Sequence, residues 1–266
     1  MYHGVINVYK EAGFTSHDVV ARLRGICKQK KIGHTGTLDP DAVGVLPVCL
    51  GNATRLCDML TDRTKEYVAS FRLGIVTDTQ DLSGKVLESH TPDRDPQSVR
   101  QAVSSFVGDQ LQIPPMYSAL KVDGKRLYEL AREGKTVERK ARQITIYEME
   151  LLKEAHPDYT MRVCCSKGTY IRTLCHDIGQ KLGCGGVMTH LLRSRVGEFR
   201  AEDAYRLSEI QSFAEAGRLQ EILVPTENMF SQFMTLKVKD SGLKALQNGN
   251  KLFSSQVVWE LSLIHI

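Results

Sequence analysis

Apolar side chains recur along this chain with two distinct periods. In residues 65–73 they alternate, so that Tyr67 shares a face with Ala69 and Phe71, and the pattern predicts a half-buried strand. In the segment that follows Ser16, the residues Val19, Leu23, Ile26 and Cys27 fall at helical spacing, which predicts a helix capped by Ser16 with its basic residues turned outward. Residues 4–10 read as a strand, the continuous apolar run 45–50 as a buried strand, and 53–60 as a short helix. Asp95-Pro96 opens a helix carrying Val99, Ala102, Val103 and Phe106, with Gly108 as its stop. Residues 143–152 and 160–165 read as adjacent strands. Thr169 then caps a helix that buries Ile171, Leu174, Cys175, Ile178 and Leu182 and halts at Gly183. Long strands lie next to one another between the helices, a pattern that predicts an α+β fold with a mixed, largely antiparallel central sheet and argues against a doubly wound parallel one.

The character changes after Leu207. A capping box over 208–211 predicts a helix, and 235–239 and 257–261 read as short strands. A piece of about thirty residues is too small to be stable alone. The expected division is therefore a main body over 1–230 and an accessory segment over 231–266, and 262–266 does not resemble a natural ending.

Composition narrows the class. With 42% hydrophobic residues and a formal net charge of +4 in 266 residues, the chain can bury a core and is not intrinsically disordered. The uncharged stretch 42–54 is interrupted by Gly44, Pro47 and Gly51 and is too short to span a bilayer. The first residues reach Lys10 and Glu11 before an apolar signal core develops, so secretion is not expected. Seven cysteines, an odd number without a CxxC pair, fit a reducing cytoplasm and give a zinc site no scaffold. The charge is unevenly spread: residues 22–31 hold five basic residues and no acid, 121–142 have a local net of +4 and 162–195 of +5, whereas the part beyond Arg200 nets −2. Such concentration suits contact with a polyanion such as nucleic acid.

Several short patterns mislead. Ser118-Ala119-Leu120-Lys121 matches S-x-x-K, but its usual partner motifs are missing and 167–169 reads Lys-Gly-Thr. No glycine-rich phosphate loop occurs, so nucleotide cofactors have no support. The informative stretch is Gly33-His34-Thr35-Gly36-Thr37-Leu38-Asp39-Pro40, which sets a carboxylate, an imidazole and two hydroxyls in a glycine-hinged loop. Pro40 restricts Asp39 to extended backbone and so limits where its carboxylate points.

Taken with Gly44-Val45-Leu46-Pro47, Lys65-Glu66-Tyr67, the run 73–81, Ile113-Pro114-Pro115-Met116-Tyr117-Ser118-Ala119-Leu120-Lys121, Gly124-Lys125-Arg126-Leu127-Tyr128 and Lys167-Gly168-Thr169-Tyr170-Ile171-Arg172, this loop closely resembles the bacterial tRNA pseudouridine-55 synthases, the TruB family. The likeness runs in order from Gly4 to about Phe199. It implies a pseudouridine-synthase catalytic domain followed by an incomplete C-terminal segment of the PUA-like type, acting as a cytoplasmic monomer on the T-arm stem-loop of tRNA without metal or organic cofactor. It further implies that Asp39 is the nucleophile, that Tyr67 stacks on the uracil and is placed for proton transfer at C5, and that Arg172 pairs with Asp39. By the same resemblance Tyr170 and Leu191 line the uridine pocket, and His34 takes part in extruding the nucleotide.

Physical chemistry supports these roles. Conversion of uridine to pseudouridine breaks the glycosidic bond, turns the freed base and rejoins it through carbon, which requires a carboxylate nucleophile or base and a pocket that keeps the uracil from escaping. A partly buried carboxylate stays ionised only beside a cation, and an arginine supplies a permanent one. The target base must first leave its stack, at a cost of a few kcal/mol that aromatic platforms offset. Lys30 and Lys31, and Lys121, Lys125 and Arg126, are the expected backbone-phosphate contacts. Two other readings share the basic face: an RNA-binding chaperone that folds tRNA without turnover, and a synthase acting on another RNA. Only an enzyme needs Asp39 together with Arg172.

Overall fold

The structure, a computed structural model, describes residues 1–122, 124–231, 233–234 and 236–258. The chain forms two compact units, residues 1–224 and residues from 225 onward.

In the first unit the elements run β1 (Gly4–Lys10), α1 (Ser16–Ile26), β2 (Ile32–His34), β3 (Val43–Leu50), α2 (Cys57–Thr61), β4 (Lys65–Leu73), β5 (Ile75–Thr77), β6 (Val86–Ser89), α3 (Pro96–Ser104) and β7 (Gly108–Gln112). They continue with β8 (Lys121–Val122), β9 (Lys125–Arg126), α4 (Leu127–Arg132), β10 (Arg142–Ala155), β11 (Asp158–Cys165), α5 (Ile171–Lys181), β12 (Gly186–Val196), β13 (Phe199–Arg200) and α6 (Leu207–Glu215). The main sheet has the order β1-β3-β12-β4-β11-β10-β7, with β2 added to β3 and β13 to β12. Every pairing in it is antiparallel except β3 with β12, which run parallel over Leu192↔Val43 and Arg193↔Gly44. The expected α+β class with a mixed, largely antiparallel sheet is therefore the observed one. Two cores form. One gathers Phe71, Ile146, Met161, Leu174 and Ile178 between the sheet and α3 and α5, and the other gathers Ile6, Leu23, Leu46 and Leu50 with Ile210 of α6.

Several boundaries differ from the sequence expectation. Thr15, not Ser16, caps α1: its hydroxyl accepts from Asp18 N at 3.1 Å while Asp18 Oδ2 accepts from Thr15 N at 2.8 Å. Ser16 is turned inward, where its hydroxyl accepts from Leu38 N at 3.0 Å. The segment expected to be one helix over 53–60 is a 3-10 turn, Gly51–Leu56, leading into α2. Helix α3 closes at Ser105, and Gly108, with φ of 101°, opens β7 instead of ending the helix. Thr169 does not cap α5; Tyr170 occupies the cap position and its N–H donates to Gln112 Oε1 of β7 at 2.8 Å. Glu209, through Arg206 N at 2.7 Å, makes the start of α6 in place of the box expected at 208–211.

The second unit contains a 3-10 turn, Thr226–Phe230, then β14 (Lys237–Val238), α7 (Asp240–Gln247) and β15 (Val257–Val258), with β14 and β15 paired antiparallel. Of the two short strands expected here, Thr235 and residues 259–261 lie outside the described residues, as do 262–266.

Candidate active site

The loop between β2 and β3 is short and held at almost every residue. Thr35 is fully buried, and both its N–H (3.1 Å) and its hydroxyl (3.2 Å) donate to Pro47 O. Leu38 N is tied to Ser16, and Pro40 O accepts from Gly13 N at 3.0 Å and from Lys10 Nζ at 2.8 Å. A loop fixed in this way presents its remaining side chain, Asp39, without a large ordering cost at the moment of binding.

Arg172, in the first turn of α5, meets that carboxylate as a fork. Its Nε donates to Asp39 Oδ2 at 2.8 Å and its Nη2 to Asp39 Oδ1 at 3.0 Å. Its other protons go to Thr79 O at 3.0 Å and Tyr117 O at 2.8 Å, and Asp81 Oδ2 lies 3.7 Å from Nε. The cation is sealed, with 5% of its side chain exposed, whereas 38% of the Asp39 side chain faces the cavity. The pair is therefore one-sided: protein encloses the charge that does not react and leaves open the one that can.

Asp81 is held by its own turn, accepting from Thr79 Oγ1 at 2.7 Å and from Ser83 N at 3.0 Å, and Asp78 accepts from Lys85 N at 2.8 Å. Both aspartates thus shape the turn after β5, and Asp81 also reaches the Arg172 guanidinium.

Behind the loop lie further buried cations. Lys10 is fully buried and donates to the carbonyls of Pro40 and Glu11; burial pushes its ammonium down to about 8, with Asp39 and Asp41 opposing. Lys65 donates to the carbonyls of Thr61 and Arg63, and burial likewise lowers it to about 8. Arg193, 1% exposed, donates to Val45 O at 2.7 Å and to Gly36 O at 3.4 Å. Gly44 is required beside it: φ is 107°, and a Cβ there would stand 2.3 Å from Arg193 O.

A cavity of about 1180 Å³ opens over Asp39 and Arg172, and Leu191, Tyr117, Lys121, Arg126 and His17 are among its walls. Tyr67 is not among the lining residues; it is buried in the same apolar cluster as Leu38, Ala42 and Leu191, which do line it. Burial pushes the Tyr67 phenol up, while Arg193 opposes that shift. Tyr170 is half-buried near Ser118, and burial raises its phenol as well. His34 sits edge-on to His17 at 5.2 Å between ring centroids, and burial, with His17 nearby, holds its imidazole below the usual histidine range.

The basic residues divide. Lys121 and Arg126 face the Asp39 cavity, where Arg126 and Arg132 both lie over the Tyr128 ring, at 5.9 and 5.3 Å. Lys125 instead lies 3.8 Å from Glu133. Lys30 and Lys31, with Arg24 and Lys28, line a separate cavity of about 900 Å³. Sequence reasoning missed Lys10, Arg193 and the carbonyls of Thr79 and Tyr117. An arginine two residues after Leu191, on the same face of the strand 186–196, was the available signal for Arg193.

Comparison with known proteins agrees with the likeness read from the motifs. Residues 24–171 match the model of the TruB family pseudouridylate synthase N-terminal domain, and residues 172–231 match the tRNA pseudouridylate synthase B C-terminal domain. The tRNA pseudouridine synthase B of Lachnoclostridium phytofermentans is 52% identical over 97% of this chain and 87% of its own length. That of Alkaliphilus oremlandii is 44% identical over 96% and 85%. Among solved structures, a chain of an H/ACA RNP bound to a substrate RNA containing 2'-deoxyuridine superposes with a TM-score of 0.74 at 30% identity, covering 96% of this chain and 69% of that one. A chain of a Cbf5-Nop10-Gar1 complex gives 0.74 at 33%, covering 94% and 68%.

Proposed function

Because the chain belongs to the TruB family of pseudouridylate synthases, we propose that it isomerises a uridine in the T-arm loop of tRNA, at position 55, with Asp39 as the nucleophile. The observation that carries this reading is the one-sided Asp39–Arg172 fork at the floor of a cavity large enough for a flipped nucleotide. Arg172 keeps the carboxylate ionised and aims its free lone pairs outward. Asp39 supplies an electron pair to the ribose carbon as its bond to uracil N1 breaks; the base turns, its C5 forms the new bond to that carbon, and the Asp39 carboxylate departs with its electron pair. The proton on C5 then leaves toward Tyr67 and N1 gains one, so the reaction is a net isomerisation that calls on no outside reductant or oxidant.

Leu191 and Leu38 provide apolar walls against the uracil, and a base that stacks on Tyr67 enters between them. Tyr170 and His34 do not line the cavity but adjoin its lining residues Ser118 and His17, and Lys121 and Arg126 are placed at the cavity to meet phosphates, with Lys30 and Lys31 at the separate cavity and Lys125 beside Glu133. The protein works as a monomer in this reading, with the body over 1–230 carrying the catalysis and 231–266 acting as a PUA-like accessory segment. The test is tritium release from C5-labelled uridine in a T-arm stem-loop set against other stem-loops and against full tRNA. Release from the T-arm alone supports the assignment, release from an unrelated loop at an equal rate removes the T-arm, and absence of release from all of them removes the activity.

A further inference from the structure

Lys10, Gly44, Arg193, Tyr67 and Val163 are direct register partners across β1, β3, β12, β4 and β11. Directly opposed residues on neighbouring strands project from the same face, so this row brings the Arg193 guanidinium to the Tyr67 ring. Arg193 stands opposite Tyr67 in the strand register, close enough for its charge to work against the burial of the phenol, and its guanidinium donates to Gly36 O in the Asp39 loop and to Val45 O in β3. Among the described residues no carboxylate lies within ion-pair distance of it. A sealed cation met only by uncharged acceptors is expensive to bury, and replacing buried charges by well-packed apolar residues is often neutral or stabilising. Its effect on its neighbours is therefore what accounts for it.

We propose that Arg193 is a positioning residue for the isomerisation, holding the Tyr67 oxygen and the Gly36 end of the Asp39 loop in one frame and steadying the phenolate that accepts the C5 proton. This rests on the role assigned to Tyr67 above. In that step the C5–H bond breaks, its electron pair returns to the uracil ring, and the proton forms the O–H bond of Tyr67. Burial alone disfavours the phenolate, and Arg193 is the neighbour that works against it.

The test is a double-mutant cycle in single-turnover rate, with stem-loop affinity measured on the same preparations. Arg193→Gln is expected to slow turnover by about 10²-fold near neutral pH, within the range for a lost proton-transfer partner, with affinity changed less than about threefold. Arg193→Lys, which keeps the charge, should recover part of the rate. In a Tyr67→Phe background, Arg193→Gln should add no further loss. A loss of equal size in the Tyr67→Phe background would overturn the proposal while leaving the reaction assignment intact. Absence of tritium release from the wild-type protein would instead remove the assignment itself. Should Arg193→Gln fail to fold, the contact is read from the other side, in protein labelled with 15N-arginine: the Arg193 guanidinium resonances should move in Tyr67→Phe, and unmoved resonances would overturn it.

Discussion

Asp39 offers the narrowest chemical change at this site, since replacement by asparagine alters almost no volume and removes one charge. Turnover of Asp39→Asn is expected to fall to the uncatalysed background, because an amide does not supply the electron pair. Stem-loop affinity should hold or rise, as a carboxylate facing a polyanion is gone and Arg172 is freed. Arg172 keeps the carbonyls of Thr79 and Tyr117, so the loss of stability should stay near ~1–2 kcal/mol, below the 3–5 typical of a wholly buried pair. Single-turnover rate, affinity and thermal midpoint on one preparation decide it, and residual turnover by folded protein would remove Asp39 as nucleophile. At this scale the sequence made Asp39 and Arg172 legible because motif order pointed to both. Lys10 and Arg193 were not legible, since a buried cation satisfied by backbone carbonyls leaves no spacing pattern. Only the register of four strands reveals that they lie in one row with Tyr67.

Among the elements, the long strands that were read were placed more faithfully than helix starts, but β12, the strand that carries Arg193, was not read at all. Alternation alone located β4, whose residues are buried at every second position. Caps failed where a hydroxyl had a tertiary alternative: Ser16 serves the Asp39 loop and passes its capping role to Thr15. Helix α5 holds a further element-scale feature, the half-buried Asp177, whose carboxyl burial pushes up to about 6 from 3.8. A raised carboxyl means that the folded chain binds more protons than the unfolded one between those values. Stability therefore falls as pH rises from 3.8 to about 6, and the penalty is fully present above that window. Asp177→Asn should thus raise the thermal midpoint at pH 7 by a few degrees, corresponding to about 1 kcal/mol after solvent screening. The gain should vanish below about pH 4, and an equal gain at pH 3 and pH 7 would show that the carboxylate charge is not its source.

For the whole molecule, two of the basic stretches seen along the sequence fall at separate cavities that share no lining residue, the cluster 24–31 at one and Lys121 and Arg126, together with four aspartates, at the other. Lys121→Ala with Arg126→Ala, and separately Lys30→Ala with Lys31→Ala, should each lower the slope of log affinity against log salt by about 0.7–0.9 per lost phosphate contact, and the two losses should add. A pair that leaves the slope unchanged is off the RNA path. Both apolar cores are built from residues before Val224, so a chain ended at Phe230 is expected to keep a cooperative thermal transition and measurable turnover. A non-cooperative melt of that shortened chain would make the remaining residues part of the fold. Charge clustering was legible in the sequence; the separation of the clusters onto different cavities depends on the three-dimensional course of the loops and was not.

The place of β12 in the sheet also sets a timetable. It lies between β3 and β4, although both of those strands are complete by residue 73 and β12 ends only at residue 196. While the chain is being synthesised, the two earlier strands carry facing edges with nothing between them for more than a hundred residues. Open edges of that kind are templates for pairing with other chains, and connections this distant close slowly. Asp39 likewise waits for a partner 133 positions downstream. The nascent protein therefore passes through a long interval with unpaired sheet edges, and the strand that closes them arrives just after the helix that carries Arg172, so that the sheet and the Asp39–Arg172 pair are completed almost together.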